Sequence, residues 1–287
     1  AKYREELLWN RYQAGRNTIL RYRKDPPYAY VIPQAQRDPV AAAELLRRMA
    51  FQGVRVSQLD KDAVLDGVTY PRGTWVIAMD QEYAELVRNL FEPQNYPDLR
   101  EYPEGPPEQP YDAAGWTLPY QMDVHVLEAR TPLPDAFRSA LKLVAGKTVD
   151  GRAAVEAPLT TNAAAAGIVA PPGRVSGAGD ALFVDPAHNN AFTLLNRALA
   201  EGGIVRFENS QGGRYVVSGV PAAKADAWAV ELSLRAERRP GSGAGAKVRP
   251  RIAVYKPWTA SMDEGWTEWL LDQYGFRYST ISNADVQ

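Results

Sequence analysis

Tyr28-Ala-Tyr-Val-Ile-Pro-Gln-Ala-Gln-Arg-Asp-Pro-Val-Ala-Ala-Ala-Glu-Leu-Leu-Arg-Arg-Met-Ala-Phe-Gln-Gly-Val-Arg-Val-Ser-Gln-Leu59 reads as a strand, a helix and a strand in succession. Tyr28 to Pro33 is short, apolar and closed by proline, the pattern of a buried strand. Pro39 to Gln52 has proline in its first turn, where a missing N–H costs nothing, and Gly53 supplies its C-terminal cap. Val54 to Leu59 is again strand-like. A hairpin follows, signalled by Asp66-Gly67 and Pro71-Arg72-Gly73, then a strand from Thr74 to Met79 and a helix from about Gln81 to Phe91.

The same order returns over residues 181–235. Leu45-Leu46-Arg47-Arg48 leads to Gly53, and Leu194-Leu195-Asn196-Arg197 leads to Gly202 at the same spacing. Gly73-Thr-Trp-Val-Ile77 is matched by Gly213-Arg-Tyr-Val-Val217, and the second copy lacks the Asp66–Arg72 hairpin. The sequence therefore predicts an α/β protein with two related strand-helix-strand-strand-helix units, over 27–92 and 181–236. A Pro-rich and β-rich middle segment, 93–180, joins them. It holds six prolines between residues 93 and 112, with Tyr96, Tyr102 and Tyr111 interleaved, and is expected to run extended over the surface. Trp116 to Glu128 alternates in part and reads as strand, and Thr148 to Ala153 reads as a hairpin.

Residues 1–26 predict a connecting helix with seven Lys or Arg, ended by Asp25-Pro26-Pro27 and packed on a neighbouring domain. Residues 237–250 are Gly-rich and predict a flexible linker. Residues 251–287 read as strand (Ile252 to Tyr255), polar loop, helix closed by Gly275, and strand (Phe276 to Ile281). This is the truncated start of a Rossmann-like or flavodoxin-like domain. A parallel sheet buries both faces and needs more strands than these, so the reading expects an internal piece of a longer protein.

Composition excludes several classes. Thirty-three basic and 34 acidic residues give a formal net charge of -1, with no general attraction to nucleic acid or anionic membrane. No apolar run approaches the roughly 18 residues of a membrane span. With no Cys there is no disulfide, no thiolate metal ligand and no Cys nucleophile. A Ser/His/Asp triad has no Gly-x-Ser-x-Gly elbow to support it.

Several strings carry a resemblance: Pro27-Tyr-Ala-Tyr-Val-Ile-Pro33, the Asp38-Pro39 helix start, Phe91-Glu-Pro-Gln-Asn-Tyr-Pro97 and Tyr111-Asp-Ala-Ala-Gly-Trp-Thr-Leu-Pro119. Above all there is Tyr255-Lys-Pro-Trp-Thr-Ala-Ser-Met-Asp-Glu-Gly-Trp-Thr-Glu-Trp-Leu270. Over nearly its whole length the chain resembles bacterial zinc-carboxypeptidase-like proteins, in the region after their catalytic domain. The resemblance implies a secreted or periplasmic parent that releases C-terminal residues from peptides, with zinc in an upstream peptidase domain. That domain would be this segment's partner. A glutamine-amidotransferase-like domain would begin near residue 250, although its chemistry needs a Cys that this chain lacks.

Metallocarboxypeptidases hold zinc with His-x-x-Glu and a distant His, and bind the substrate carboxylate with an Asn-Arg pair. His125-Val-Leu-Glu128 and Asn196-Arg197 match literally. However, His188, the other histidine, precedes the Asn-Arg pair where the family's third ligand follows it. Residues three apart on a strand also point to opposite faces. No metal, cofactor or catalytic residue is therefore expected in this segment. His188 lies in Asp185-Pro-Ala-His-Asn-Asn190, where a strand feeds a helix; a helix N-terminus there can hold an anion, and Asp185 is expected to cap it instead.

The remaining ligand candidate is the loop after the strand at residue 252. Lys256 supplies charge, Trp258 a flat apolar face, and Thr259 and Ser261 hydroxyls, at the sheet edge where ligands bind in such folds. Asp263 and Glu264 would themselves occupy the positive end of the helix. Two functions follow as expectations. One is a non-catalytic accessory region of the peptidase; the other is a stand-alone module binding a peptide or small ligand in the cleft between the two α/β units.

Overall fold

A computed structural model describes residues 2–93, 97–108, 115–144, 148–149, 152–153, 163–209, 212–241 and 243–286. The chain mixes helices and sheets in an α/β fold and divides into two compact units, residues 1–169 and 170–287.

In the first unit α1 (Arg4–Tyr22) precedes β1 (Ala29–Ile32), α2 (Pro39–Phe51) and β2 (Ser57–Leu59). The hairpin β3 (Ala63–Leu65) and β4 (Val68–Tyr70) comes next, then β5 (Trp75–Ala78) and α3 (Ala84–Phe91). A helical turn, α4 (Leu118–Gln121), leads to β6 (Leu127–Ala129), α5 (Asp135–Ser139), β7 (Leu141–Leu143), the pair β8 (Thr148–Val149) and β9 (Arg152–Ala153), and α6 (Ala163–Gly167). The sheet order is β6-β1-β5-β2-β7, antiparallel throughout.

The second unit holds β10 (Arg174–Gly177), β11 (Ala181–Val184), α7 (Ala191–Ala200), β12 (Ile204–Glu208), β13 (Arg214–Ser218), α8 (Ala222–Glu231), β14 (Arg235–Arg239) and β15 (Ala246–Lys247). Its sheet order is β10-β14-β11-β13-β12-β15. Residues 237–239, read as linker, instead end β14, and residues 246 and 247 of the same stretch form an edge strand on β12. Gly245 permits it by bringing its backbone against Phe207, where a Cβ would lie 2.5 Å from the Phe207 carbonyl oxygen. The strands β16 (Ile252–Tyr255) and β17 (Tyr278–Ile281) flank α9 (Met262–Gln273) and pair in parallel. Phe192 of α7 packs against Tyr274 and Phe276.

Both units carry one topology. Strand, helix, two strands, helix and strand fold so that the first and second strands run parallel with the third between them, and the fourth lies outside the first. This is the ferredoxin-like split βαβ arrangement, repeated. Register confirms residue-level correspondence. Spacing from the Leu-Leu pairs and capping glycines aligns Ser57 with Arg206, and in the sheets Ser57 faces Val76 while Arg206 faces Val216. Val76 and Val216 are themselves matched by the Gly73 and Gly213 strings.

The inserted hairpin explains the main difference between copies. Ala63, Leu65 and Tyr70 pack with Ala29, Val31 and Val76 and with Phe137 of α5, covering the sheet face opposite α3, so all four residues of β1 are buried. Without a hairpin, Phe183, the counterpart of Val31, is only half-buried.

Local chemistry sets the ends. Asp38 has extended φ,ψ and its Oδ1 accepts from the N–H of Val40 at 2.9 Å, with Pro39 opening the helix. Asp38→Ala should lower stability by about 1 kcal/mol in thermal denaturation, the usual cost of losing a cap. The second half of α1 packs on α3, through Arg21 to Glu85 at 2.7 Å and fully buried Tyr22; Leu7, Leu8 and Trp9 are exposed. Of the Pro-rich arm, residues 97–108 form no helix or strand and lie almost wholly exposed, while Tyr96 and Tyr111 fall outside the described residues. The strand expected over Trp116–Glu128 is instead α4 followed by a loop, with strand only from Leu127. Pro119 suits a first helical turn and cannot donate to a ladder, and its carbonyl accepts from Val124. No helix among the described residues is long and apolar enough to cross a membrane.

Candidate functional site

The loop from Tyr255 to Met262 is organised by the start of α9. Ser261 is the N-cap, its Oγ accepting from the N–H of Glu264 at 3.3 Å, and Asp263 and Glu264 fill the first turn. Lys256 donates its backbone N–H to Ile281, and its Nζ lies 3.8 Å from Glu264 Oε1. Trp258 is 96% exposed and Thr259 is exposed. An open groove of about 460 Å³ runs beside α9. Ser261 lines it, with Glu264 and Thr267, but Lys256, Trp258 and Thr259 do not. Helix capping thus accounts for Ser261 and the acids, and the four residues do not converge on one point.

His125 and Glu128 lie in the first unit and line one pocket of about 350 Å³, together with Tyr30 and Glu92. His125 sits in the loop before β6, exposed at the side chain and clamped at the backbone. Its N–H donates to Gln36 Oε1 at 2.8 Å, and its carbonyl accepts from Gln36 Nε2 at 3.0 Å. Gln36 is 3% exposed and also donates to Pro33. A side-chain amide sets an N–H donor beside a carbonyl acceptor in one plane, as a peptide group does, and its second N–H goes to Pro33, so Gln36 serves His125 as a strand neighbour would. Gln81 does the same for Arg55, accepting from its N–H at 2.7 Å and donating to its carbonyl at 3.2 Å. Replacing Gln36 with Leu should cost about 2 kcal/mol, since the amide partners are lost on both sides; urea denaturation would measure it.

Glu128 Oε2 accepts from Arg130 at 3.2 Å. No group of three or more His, Cys, Asp or Glu that could hold a metal occurs among the described residues, and a clamped loop with one imidazole and one carboxylate does not make a zinc site.

Asn196 and Arg197 belong to the second unit, and both have structural partners. Asn196 Nδ2 donates to the Tyr274 carbonyl at 2.9 Å, fixing α7 to the end of α9. Arg197 grips Glu231 with both terminal nitrogens, at 2.9 and 3.0 Å, and this bidentate bond holds the Glu231 carboxyl below its ordinary range. His188 is 3% exposed, with Nε2 3.5 Å from Arg235. Asp185 does not cap α7: its Oδ1 accepts from Ala187 and its Oδ2 pairs with Arg214 at 2.9 Å, closing the turn before the helix.

Three residues that no motif singles out matter here: Gln36 and Gln81 hold the backbones of His125 and Arg55, and Tyr30 keeps a buried hydroxyl without a partner among the described residues. Their signal in sequence is faint: one Tyr within an apolar strand and two glutamines beside helix starts. Compared with protein-family models, with curated proteins and with solved structures, the chain matches none.

Proposed function

We propose that this chain is a non-catalytic accessory region of a secreted carboxypeptidase-like hydrolase, packing on a peptidase domain that holds the zinc and releases C-terminal residues from peptides. The observation that carries this reading is the engagement of Asn196 and Arg197. In the resembled family such a pair receives the substrate carboxylate, and here the amide and the guanidinium serve to join α7 to α9 and α8. The strings at Tyr255–Leu270 and Pro27–Pro33 support the same assignment by resemblance.

Two measurements test it. The purified chain, supplied with zinc, should release no C-terminal residue from an N-blocked peptide; chelator-sensitive release would overturn the reading. The coding sequence upstream should carry His-x-x-Glu, Asn-Arg and a later His, and an upstream region lacking them would equally sink it.

A further inference from the structure

The pocket around Tyr30 has a polar floor with no use inside the fold. Tyr30 is 4% exposed, and its hydroxyl has no hydrogen-bond partner among the described residues. A buried hydroxyl without a partner is unfavourable, because it gives up its bonds to water and gains none in return. The Phe91 ring packs tilted against Tyr30, with centroids 5.0 Å apart and planes at 54°, and buried Val124 continues the apolar lining. Glu92 and Glu128 also line the pocket, with Glu128 opposite Tyr30 across β1 and β6, and Tyr120, 75% exposed, is part of the lining.

Arg88 bonds Glu92 Oε2 at 2.8 Å and Arg130 bonds Glu128 Oε2 at 3.2 Å, so each carboxylate has one oxygen engaged. At the hydroxyl itself the two carboxylates still outweigh Arg88. Burial first, then Glu92 and Glu128, push the Tyr30 pKa well up. The hydroxyl therefore stays protonated.

The second unit shows that the fold does not require this arrangement. In β1 and β6 Tyr30 pairs with Glu128; in β11 and β14 the corresponding pair is Leu182 and Arg238. Leu182 has no polar atom to satisfy. Arg238 is 9% exposed and bonded within its own unit, to Asp226 at 2.9 Å and to the Ala222 carbonyl at 2.9 Å. Where one copy places a guanidinium with its partners, the other places a carboxylate beside an unpartnered hydroxyl.

We infer that the Tyr30 pocket binds an organic cation, an ammonium or guanidinium group on a short apolar body. The charged end donates to Tyr30 Oη and to Glu128, and the body lies against Phe91 and Tyr120 as cations and apolar groups do on aromatic walls. A free amine and the side chain of a basic residue in a peptide share this chemistry. The site stands on the first unit alone and does not depend on the accessory role.

Calorimetric titration of the whole chain with benzamidine tests the inference, with benzoate and benzamide as anionic and neutral bodies of similar shape. Saturable binding of benzamidine alone is expected. Glu128→Gln should weaken it about tenfold and Tyr30→Phe about fivefold, as for hydrogen bonds to a charged group. Tyr30→Phe should leave the melting temperature unchanged or raise it, which separates a lost ligand contact from a damaged fold. Acetyl-Gly-Arg-Gly-amide in a parallel titration identifies the source. Tighter binding than benzamidine assigns the pocket to a peptide, and weaker binding to a free amine. Equal binding of benzoate, unchanged affinity in both variants, or no heat up to about 10 mM, a free energy below about 3 kcal/mol, overturns the inference.

Discussion

Phe137→Ala is expected to destabilise the first unit by about 4 kcal/mol. Phe137 is fully buried and comes from α5, a helix of five residues too short to hold its place by backbone bonds alone. Its ring meets Tyr70 of the inserted hairpin edge-on, at 6.4 Å and 84°, and packs in one cluster with Ala29, Val31 and Val76 of the sheet. Truncation therefore opens a cavity where hairpin, helix and sheet meet, and the cost adds lost burial to the void. Urea denaturation should show a lower midpoint at unchanged slope. Phe137→Leu, which keeps most of the volume, should lose no more than about 1.5 kcal/mol. A loss below about 1 kcal/mol for the alanine variant would mean that the hairpin layer does not close on the sheet as described.

Gly173→Ala is expected to cost about 3 kcal/mol in the second unit, by a different mechanism. A Cβ at Gly173 would lie 2.1 Å from the Ala229 carbonyl oxygen and 2.6 Å from the Leu234 N and O. These are backbone atoms, at the end of α8 and just before β14, and cannot rotate away. The approach is fixed by two bonds: Gly173 N–H donates to Val230 at 3.0 Å, and Arg174 N–H to Leu234 at 2.8 Å. Together they set β10 alongside β14, the only parallel pair in that sheet among the described residues, so displacement should loosen β10 selectively. Hydrogen exchange should report faster exchange at Arg174 and Val175 than in β11. Gly202→Ala is the control. Its φ is +78 with no atom within 4 Å of the added Cβ, so it isolates backbone strain, at about 1 kcal/mol. Equal losses in the two variants would remove the steric argument.

The split βαβ repeat was largely legible because its signals are local. Proline at the start of α2, glycine after α2 and α7, and short apolar runs between them mark each element wherever the chain goes next. The corresponding spacing of the Leu-Leu pairs and glycines even fixed the alignment that the strand registers reproduce. Trp116–Glu128 misled for a physical reason: a partly alternating stretch with Pro119 in it satisfies a strand pattern on paper, yet proline places it in a helical turn. Of the candidate ligand residues, Ser261 could be read as a cap from the acids that follow it. That Lys256 turns to Glu264 while Trp258 faces solvent depends on the course of the backbone.

Sequence alone determined the class and the order of elements within each strand-helix-strand-strand-helix unit and in β16–α9–β17, since turns, caps and hydrophobic period act over a few residues. Only the tertiary structure decided which strands neighbour one another and which polar groups meet. Tyr30 and Glu128 are adjacent across β1 and β6, and Gln36 reaches His125, although nearly a hundred residues separate each pair. Whether a buried hydroxyl finds a partner is settled by chain segments far apart in sequence, and no local pattern encodes it.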